Sequence, residues 1–197
     1  ISFSNYKGFR EPTNIELRPI TVLLGKNSSG KSAIGKLLTL IDASLSGEID
    51  APLQLVNDKV SVGRDFRDIV YNRLPNTPVE FVIKFDLEIE LVVAVVEISG
   101  THTPLITKWL YKSPEVNLNL YMTSETGIYK DEVGAEFVCQ FRGFILSDIR
   151  KRSGSQLNAP KANLKIAVDY IGPFRLIPPR TFFLDGRTNN EKIGVYG

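Results

Sequence analysis

The chain has 197 residues, of which 43% are hydrophobic and 23% are charged, a composition typical of a globular protein with one large domain or two small ones. Its 24 lysines and arginines nearly balance its 22 aspartates and glutamates, so net charge neither indicates nor excludes a nucleic-acid partner. The single Cys139 excludes an internal disulfide framework, and the single His102 leaves no His/Cys metal cluster. Because a lone thiol fits a reducing compartment and no apolar run reaches membrane-spanning length, we expect a cytoplasmic protein with no membrane partner.

The first predicted elements are three short strands. Residues 1–6 alternate between apolar and polar types, which is typical of an edge strand. After a turn at residues 7–10, a second short strand is predicted at residues 15–17. The third strand covers residues 20–24, an apolar and partly β-branched run that leads directly into a glycine, as a buried strand does.

The next stretch, residues 25–32, matches the phosphate-binding loop pattern G-x-x-x-x-G-K-[ST] without a mismatch. Beyond it, apolar residues recur at helical spacing, so we expect a helix from about Lys31 to about Ser44. These apolar residues are Ile34, Leu37, Leu38, Ile41 and Leu45. Strand, glycine loop and helix in this order form the context that the motif requires, so the sequence predicts a nucleotide-binding loop.

The residue types of the loop suit phosphate chemistry. Gly25 and Gly30 permit backbone conformations that turn successive N–H groups inward, and the new helix adds its positive N-terminal end. Lys31 is predicted to contact the β- and γ-phosphates and to serve catalysis, and Ser32 to ligate Mg²⁺, which implies a nucleoside triphosphate. The predicted nucleotide-binding residues of the loop are Gly25, Lys26, Asn27, Ser28, Ser29, Gly30, Lys31, Ser32 and Ala33.

The middle third of the chain is rich in β-forming residues. Residues 79–86 alternate cleanly between the two faces of a strand, and four further β-rich segments follow. These segments are residues 88–98, 106–111, 116–122 and 137–141. Their spacing predicts an antiparallel sheet inserted into an α/β core.

The segments on either side of this sheet are more irregular. Asp65 is predicted to cap a short helix at residues 65–71, and residues 74–78 contain two prolines that break it. Residues 150–163 read as a loop. Residues 164–171 could form another core strand, and residues 180–184 one more short extended piece.

Several stretches together resemble a known group of proteins. Asn5-Tyr6-Lys7-Gly8-Phe9, the segment 15–17 and the run 20–32 resemble the opening of ABC-type ATPases of the SMC, RecF and OLD kind. The closing Tyr170-Ile171-Gly172-Pro173-Phe174-Arg175 resembles a strand-end motif of OLD-like AAA-type ATPases. The resemblance implies an ATP-binding head that uses Mg²⁺ and forms a homodimer with ATP sandwiched between the copies. It also implies that Lys7 lies beside the phosphates, and it suggests DNA and an effector module such as a nuclease as partners.

Motif and resemblance together predict the fold class and the domain plan. We expect an α/β P-loop NTPase core of the ABC-ATPase type at residues 1–45 and about 164–197, with a β-rich lobe inserted at about 79–149. Residues 1–197 would then be the N-terminal lobe of an ATPase domain whose C-terminal half lies outside this chain.

The resemblance also implies a catalytic acid after an apolar strand and a signature serine motif. The candidate acids that follow apolar runs are Asp42, Asp86, Asp169 and Asp185. None is followed by the acidic residue that the group carries. The candidate signature motifs are residues 45–48, which lie too close to the loop, and residues 152–156, where Pro160 would break the helix that should follow.

Two other functions remain open at this point. A compact P-loop kinase or GTPase is a weaker match, because the chain has no N/T-K-x-D guanine motif. The lack of a clear catalytic acid would favour a nucleotide-gated scaffold that does not hydrolyse ATP. A basic set in the later part of the chain forms either a solvated loop or a surface that follows phosphates. This set comprises Arg142, Arg150, Lys151, Arg152, Lys161 and Lys165.

Overall fold

The computed structural model describes residues 1–57, 60–85, 88–98, 102–160, 164 and 166–172. Some predictions fall on residues outside this set. These are the candidate acids Asp86 and Asp185, the basic residues Lys161 and Lys165, the segment 180–184 and residues 173–175 of the motif at 170–175.

Ten of the twelve strands in the described part of the chain form one antiparallel sheet, in which alternating apolar residues point to the same side of successive strands. In β5, for example, Val79, Phe81 and Ile83 are buried, whereas Lys84 is exposed. The strand order is β12-β11-β10-β9-β8-β7-β6-β5-β1-β2, and β3 and β4 form a separate pair. The strands are β1 Ser2–Ser4, β2 Thr13–Asn14, β3 Val56–Asn57, β4 Val60–Ser61, β5 Val79–Phe85, β6 Ile89–Glu97, β7 Pro104–Lys112, β8 Asn117–Met122, β9 Ile128–Lys130, β10 Glu136–Arg142, β11 Ile145–Lys151 and β12 Gln156–Leu157.

The α-helix of the described chain, α1, covers Lys31–Leu45, in agreement with the predicted span. Its apolar residues recur three and four positions apart, so Leu37, Leu40 and Ile41 lie on one buried face. They belong to the same hydrophobic core as Phe81 of the sheet. The helix that follows the phosphate loop is therefore anchored on the sheet by its C-terminal half.

The C-terminal end of α1 is also tied to the turn between β10 and β11. The N–H of Phe144 donates to the carbonyl oxygen of Ser44 (2.6 Å), and the N–H of Gly143 donates to that of Ile49 (2.8 Å). The indole N–H of Trp109 donates in turn to the carbonyl oxygen of Phe144 (2.9 Å). These bonds satisfy a carbonyl group that a helix end leaves without an intrahelical partner, and they connect α1 to the middle of the sheet.

The connection between α1 and β5 packs across the turn that follows β1. As predicted, the Asp65 side chain caps a short helix, which is the 3₁₀ turn Phe66–Asp68, by accepting from the N–H of Asp68 (3.1 Å). The carbonyl oxygen of Ile69, the residue that follows this turn, accepts from the N–H of Lys7 (2.7 Å). Residues 60–69 are called the 60–69 segment below.

Two predictions about the N-terminal strands are wrong. Residues 20–24 form no strand, and the exposed fractions of Ile20, Val22 and Leu24 are 85%, 70% and 88%. Apolar, β-branched composition is not sufficient for a strand, which needs a hydrogen-bonded neighbour; none of the described strands pairs with this run. The second strand is Thr13–Asn14, paired with β1, rather than residues 15–17.

The predicted fold class also needs correction. The described residues form a largely antiparallel sheet with one helix rather than an α/β core, and residues 166–171 form no strand. Ser2 of β1 lies opposite Val82 of β5, so the N-terminal strand belongs to the same sheet as the middle third. The predicted antiparallel pairing of that middle third is confirmed.

The sequence did not indicate β3, β4, β9, β11 or β12. In β11 the buried Leu146 and Ile149 are three residues apart, so the two-residue alternation that marks a strand is broken. The pairing of β10 with β11 shifts register between Gln140 and Phe141. An irregularity of this kind changes which side of the sheet a residue faces, and it therefore hides the strand from pattern analysis.

Candidate functional site

The phosphate loop bends sharply between residues 25 and 30 and ends at the first turn of α1. Ser28 and Gly30 both have positive φ values, 62° and 95°, and the N–H of Ser29 donates to the carbonyl oxygen of Lys26 (3.3 Å). The first N–H of the helix ladder is that of Ile34, which donates to Gly30 (3.0 Å). The preceding amides, at residues 31–33, have no intrahelical acceptor, so they can bind an anion.

The two motif glycines stand where a larger residue would collide. A Cβ on Gly25 would lie 2.7 Å from the hydroxyl oxygen of Ser29, and a Cβ on Gly30 would lie 2.6 Å from the ring of Phe9. Gly30 also adopts a left-handed conformation that favours glycine. The Ser29 side chain therefore lies against Gly25, and the loop packs at Gly30 against the Phe9 ring of the turn that follows β1.

Lys31 folds back over the loop. Its ammonium group donates to the carbonyl oxygens of Gly25 (2.7 Å) and Lys26 (2.6 Å). Ser32 occupies the second helical position and is exposed. Both side chains are thus on the loop where the motif predicts phosphate and metal contacts, and their predicted roles remain predictions.

The turn after β1 forms the opposite wall. The Tyr6 hydroxyl donates to the carbonyl oxygen of Ala33 (3.2 Å), and burial raises the pKa of this tyrosine. The ring of Phe9 lies against Gly30. Lys7 has a positive φ of 49°, and its ammonium group donates to the carbonyl oxygen of Val62 (2.5 Å).

Loop and turn together line an open cavity of about 490 Å³. Its lining residues are Lys7, Gly8, Phe9, Asn27, Ser28, Ser29, Gly30, Lys31, Ser32 and Ala33. The structure therefore brings Lys7 and residues 27–33 of the predicted site to one cavity. Gly25 and Lys26 shape the base of the loop and hold Lys31.

The remaining predicted residues lie elsewhere. Asp42 is on α1, as its position in the sequence implies, and Asp169 is exposed in a segment without regular structure. The neighbouring Tyr170 rests against α1, with its ring 3.4 Å from the position of a Cβ on Gly35. Residues 152–156 form the turn between β11 and β12 and the start of β12 instead of opening a helix.

The described arginines of the basic set are paired with carboxylates on the protein surface. These pairs are Arg142–Asp50 (3.3 Å), Arg150–Asp148 (2.8 Å), Arg152–Glu136 (2.8 Å) and Arg152–Glu125 (3.2 Å). Hydrogen bonds from Arg152 and then from Lys130 lower the pKa of Glu136. A nucleic-acid phosphate would have to compete with these carboxylates, so the arginines alone do not define a DNA surface.

The sequence did not reveal a pair of lysine contacts beside the cavity. Lys36 of α1 donates to the carbonyl oxygen of Ser61 (2.9 Å), next to the Val62 carbonyl that holds Lys7. Backbone carbonyl groups leave no signature in a sequence, and Lys7 and Val62 are 55 residues apart. No local pattern could therefore have identified this contact.

Two features are absent from the described residues. These residues contain no group of three or more His, Cys, Asp or Glu side chains arranged to hold a metal ion. In the same part of the chain, no helix is both long and apolar enough to span a bilayer.

Comparison with known proteins adds one result. A family model described as an AAA ATPase domain matches residues 1–170, a range that includes the phosphate loop, the turn after β1 and the ten-stranded sheet. No curated protein and no solved structure matches the chain. Since the family model covers most of the sequence and the cavity has the loop that such ATPases require, the chain belongs to the AAA ATPase domain family.

Proposed function

We propose that this chain binds ATP with Mg²⁺ in the cavity at the start of α1, and that it belongs to an ATPase head of the ABC type. The observation that carries this proposal is the convergence of three features on one cavity. They are the amides of residues 31–33 that have no helical acceptor, the positive end of α1, and the side chains of Lys7 and Lys31.

The residues present fit a triphosphate and its metal. The turn at Ser28 and Gly30 directs backbone toward the cavity, and a Cβ on Gly30 would collide with Phe9. Lys31 currently donates to neutral carbonyl oxygens, and exchanging them for charged phosphate oxygens gives stronger hydrogen bonds. Ser32 supplies an exposed hydroxyl, an oxygen ligand of the kind that Mg²⁺ prefers.

Hydrolysis requires more than this cavity supplies. A water must be positioned and charge must be stabilised on the side opposite the loop, and among the described candidates Asp42 lies on α1 and Asp169 is exposed. We infer that the remaining groups come from a second copy of the head, with ATP between the two. Because the apolar run 20–24 is exposed, we expect additional strands to cover it beside the loop in the complete ATPase. DNA and an effector module such as a nuclease remain proposed partners.

The binding proposal is tested by calorimetric titration with ATP·Mg²⁺. Lys31→Ala should abolish detectable binding, because it removes the ammonium group that sits on the loop. Lys26→Ala is the matched control: the side chain is exposed and the loop uses the Lys26 carbonyl group, so affinity should change little. Equal affinities of wild type and Lys31→Ala would refute the proposal.

The hydrolysis proposal is tested by single-turnover measurements on this chain, alone and mixed with the complete ATPase. We expect binding with extremely slow turnover by the chain alone, because neither of the described candidate acids, Asp42 and Asp169, lines the cavity. We also expect no stable ATP-dependent dimer of this chain by itself. Rapid turnover by the chain alone, lost on Asp169→Asn, would show that the catalytic acid lies within it.

A further inference from the structure

Two lysines, of which Lys7 lines the cavity, donate to consecutive carbonyl groups of the 60–69 segment. The ammonium group of Lys36 lies 2.9 Å from the carbonyl oxygen of Ser61, and that of Lys7 lies 2.5 Å from the carbonyl oxygen of Val62. Both acceptors are neutral. Lys7 also lines the cavity of the phosphate loop, so this one side chain belongs to the cavity and to the segment at the same time.

The 60–69 segment holds Lys7 through its backbone as well. The carbonyl oxygen of Ile69 accepts from the N–H of Lys7 (2.7 Å). Lys7 adopts a left-handed backbone conformation, with φ 49°, which is unfavourable for a residue with a side chain. Such conformations persist where surrounding contacts hold them, and they concentrate at functional sites. The 60–69 segment therefore holds Lys7 both through its backbone N–H and through its ammonium group.

We propose that Lys7 exchanges partners when a nucleotide binds: its ammonium group leaves the carbonyl oxygen of Val62 and donates to a phosphate oxygen, so the 60–69 segment responds to nucleotide occupancy. This inference rests on the proposed function. A hydrogen bond from ammonium to a charged phosphate is about twice as strong as one to a neutral acceptor. In addition, burial and then the charge of Lys36 lower the pKa of Lys7, against the opposing effect of Asp68, so an arriving anion would relieve an unfavourable environment.

The response of the segment should be local. The side chain of Val62 is buried, and its N–H donates to the carbonyl oxygen of Leu55 (2.8 Å). The neighbouring contact between Lys36 and Ser61 stays outside the cavity lining. Loss of the Lys7 bond should therefore change the Val62–Gly63 peptide group without detaching the segment. Because coupling is reciprocal, changes in the segment should also alter nucleotide affinity.

That peptide group can be observed directly. The sequence contains two Val-Gly pairs, at residues 62–63 and 133–134. Labelling valine with ¹³C at the carbonyl carbon and glycine with ¹⁵N therefore gives two signals in a carbonyl–amide correlation spectrum. Val133 is 88% exposed and lies outside the cavity lining, so its signal is an internal reference. The variant Val133→Ile removes the reference signal and thereby assigns both.

Titration with ATP·Mg²⁺ should shift the Val62 carbonyl signal upfield, because a carbonyl carbon is less deshielded once its hydrogen bond is lost. The Val133 signal should not move. Lys7→Met should show the upfield signal without nucleotide, should bind ATP about tenfold to a hundredfold more weakly, and should show little further shift. Lys36→Met is the matched control, since it removes the contact with Ser61 and should retain the ATP-induced shift.

Calorimetry on the same samples separates the two proposals. If ATP binds and the Val62 signal moves no more than that of Val133, the exchange of partners is refuted while nucleotide binding stands. The exchange is equally refuted if the full shift persists in Lys7→Met. Failure of wild-type protein to bind ATP would refute both.

Discussion

Gly143 offers a sharp test of how α1 is anchored to the sheet. Its φ is 57°, and a Cβ at this position would lie 2.1 Å from the carbonyl oxygen of Ser44. The same turn donates hydrogen bonds from Gly143 to Ile49 and from Phe144 to Ser44. Gly143→Ala should therefore force the turn away from the end of α1. The left-handed conformation costs about 1–2 kcal/mol for a residue with a side chain, and relieving the overlap costs about 1–3 kcal/mol more.

The expected loss is thus about 2–5 kcal/mol of unfolding free energy, measured by urea denaturation. Gly134→Ala is the matched control, because Gly134 has a similar positive φ of 85° but nothing within 4 Å of its Cβ position. It should lose only the conformational contribution, about 1–2 kcal/mol, and in both variants the lower entropy of the unfolded chain offsets part of the loss. If the two variants lose the same free energy, the contact between α1 and the β10–β11 turn does not anchor the helix.

Three further predictions follow from burial and close contact. Gly30→Ala should lose ATP binding, since its Cβ would lie 2.6 Å from the Phe9 ring; wild-type affinity in a titration would contradict this. Leu40→Ala should cost about 2–5 kcal/mol in urea denaturation and Leu24→Ala less than about 0.5 kcal/mol, because Leu40 is buried and Leu24 is 88% exposed; equal losses would refute this. Burial and then the charge of Asp148 raise the pKa of Cys139 to about 12, so the thiol loses its proton at lower pH in the unfolded state than in the folded state. The unfolding free energy should therefore fall from about pH 9 towards pH 12, and more steeply than in Cys139→Ser.

Local sequence patterns were sufficient to predict the phosphate loop and the helix that follows it. A phosphate loop is specified by glycines and polar residues that are adjacent in sequence, and an amphipathic helix by residues three and four apart. The predicted helix agrees with Lys31–Leu45, and residues 27–33 line one cavity. Strands such as β5 were also predicted correctly, because their alternation is regular.

Contacts between distant segments could not be predicted from the sequence. Residues 20–24 have the composition of a buried strand and are nevertheless exposed, because strand formation depends on a neighbouring strand that composition does not reveal. Ser2 pairs with Val82, which joins the N-terminal strand to the sheet of the middle third and produces a largely antiparallel fold.

The sequence by itself determined that a phosphate loop opens a helix, since the residues that define the motif lie within eight consecutive positions of the chain. Tertiary structure alone decided what surrounds the loop. The Val62 carbonyl group that holds Lys7 is 55 residues away in sequence, and a backbone oxygen is identical in every residue type. Its position is set by how the sheet, the helix and the 60–69 segment pack together, and sequence patterns do not record that packing.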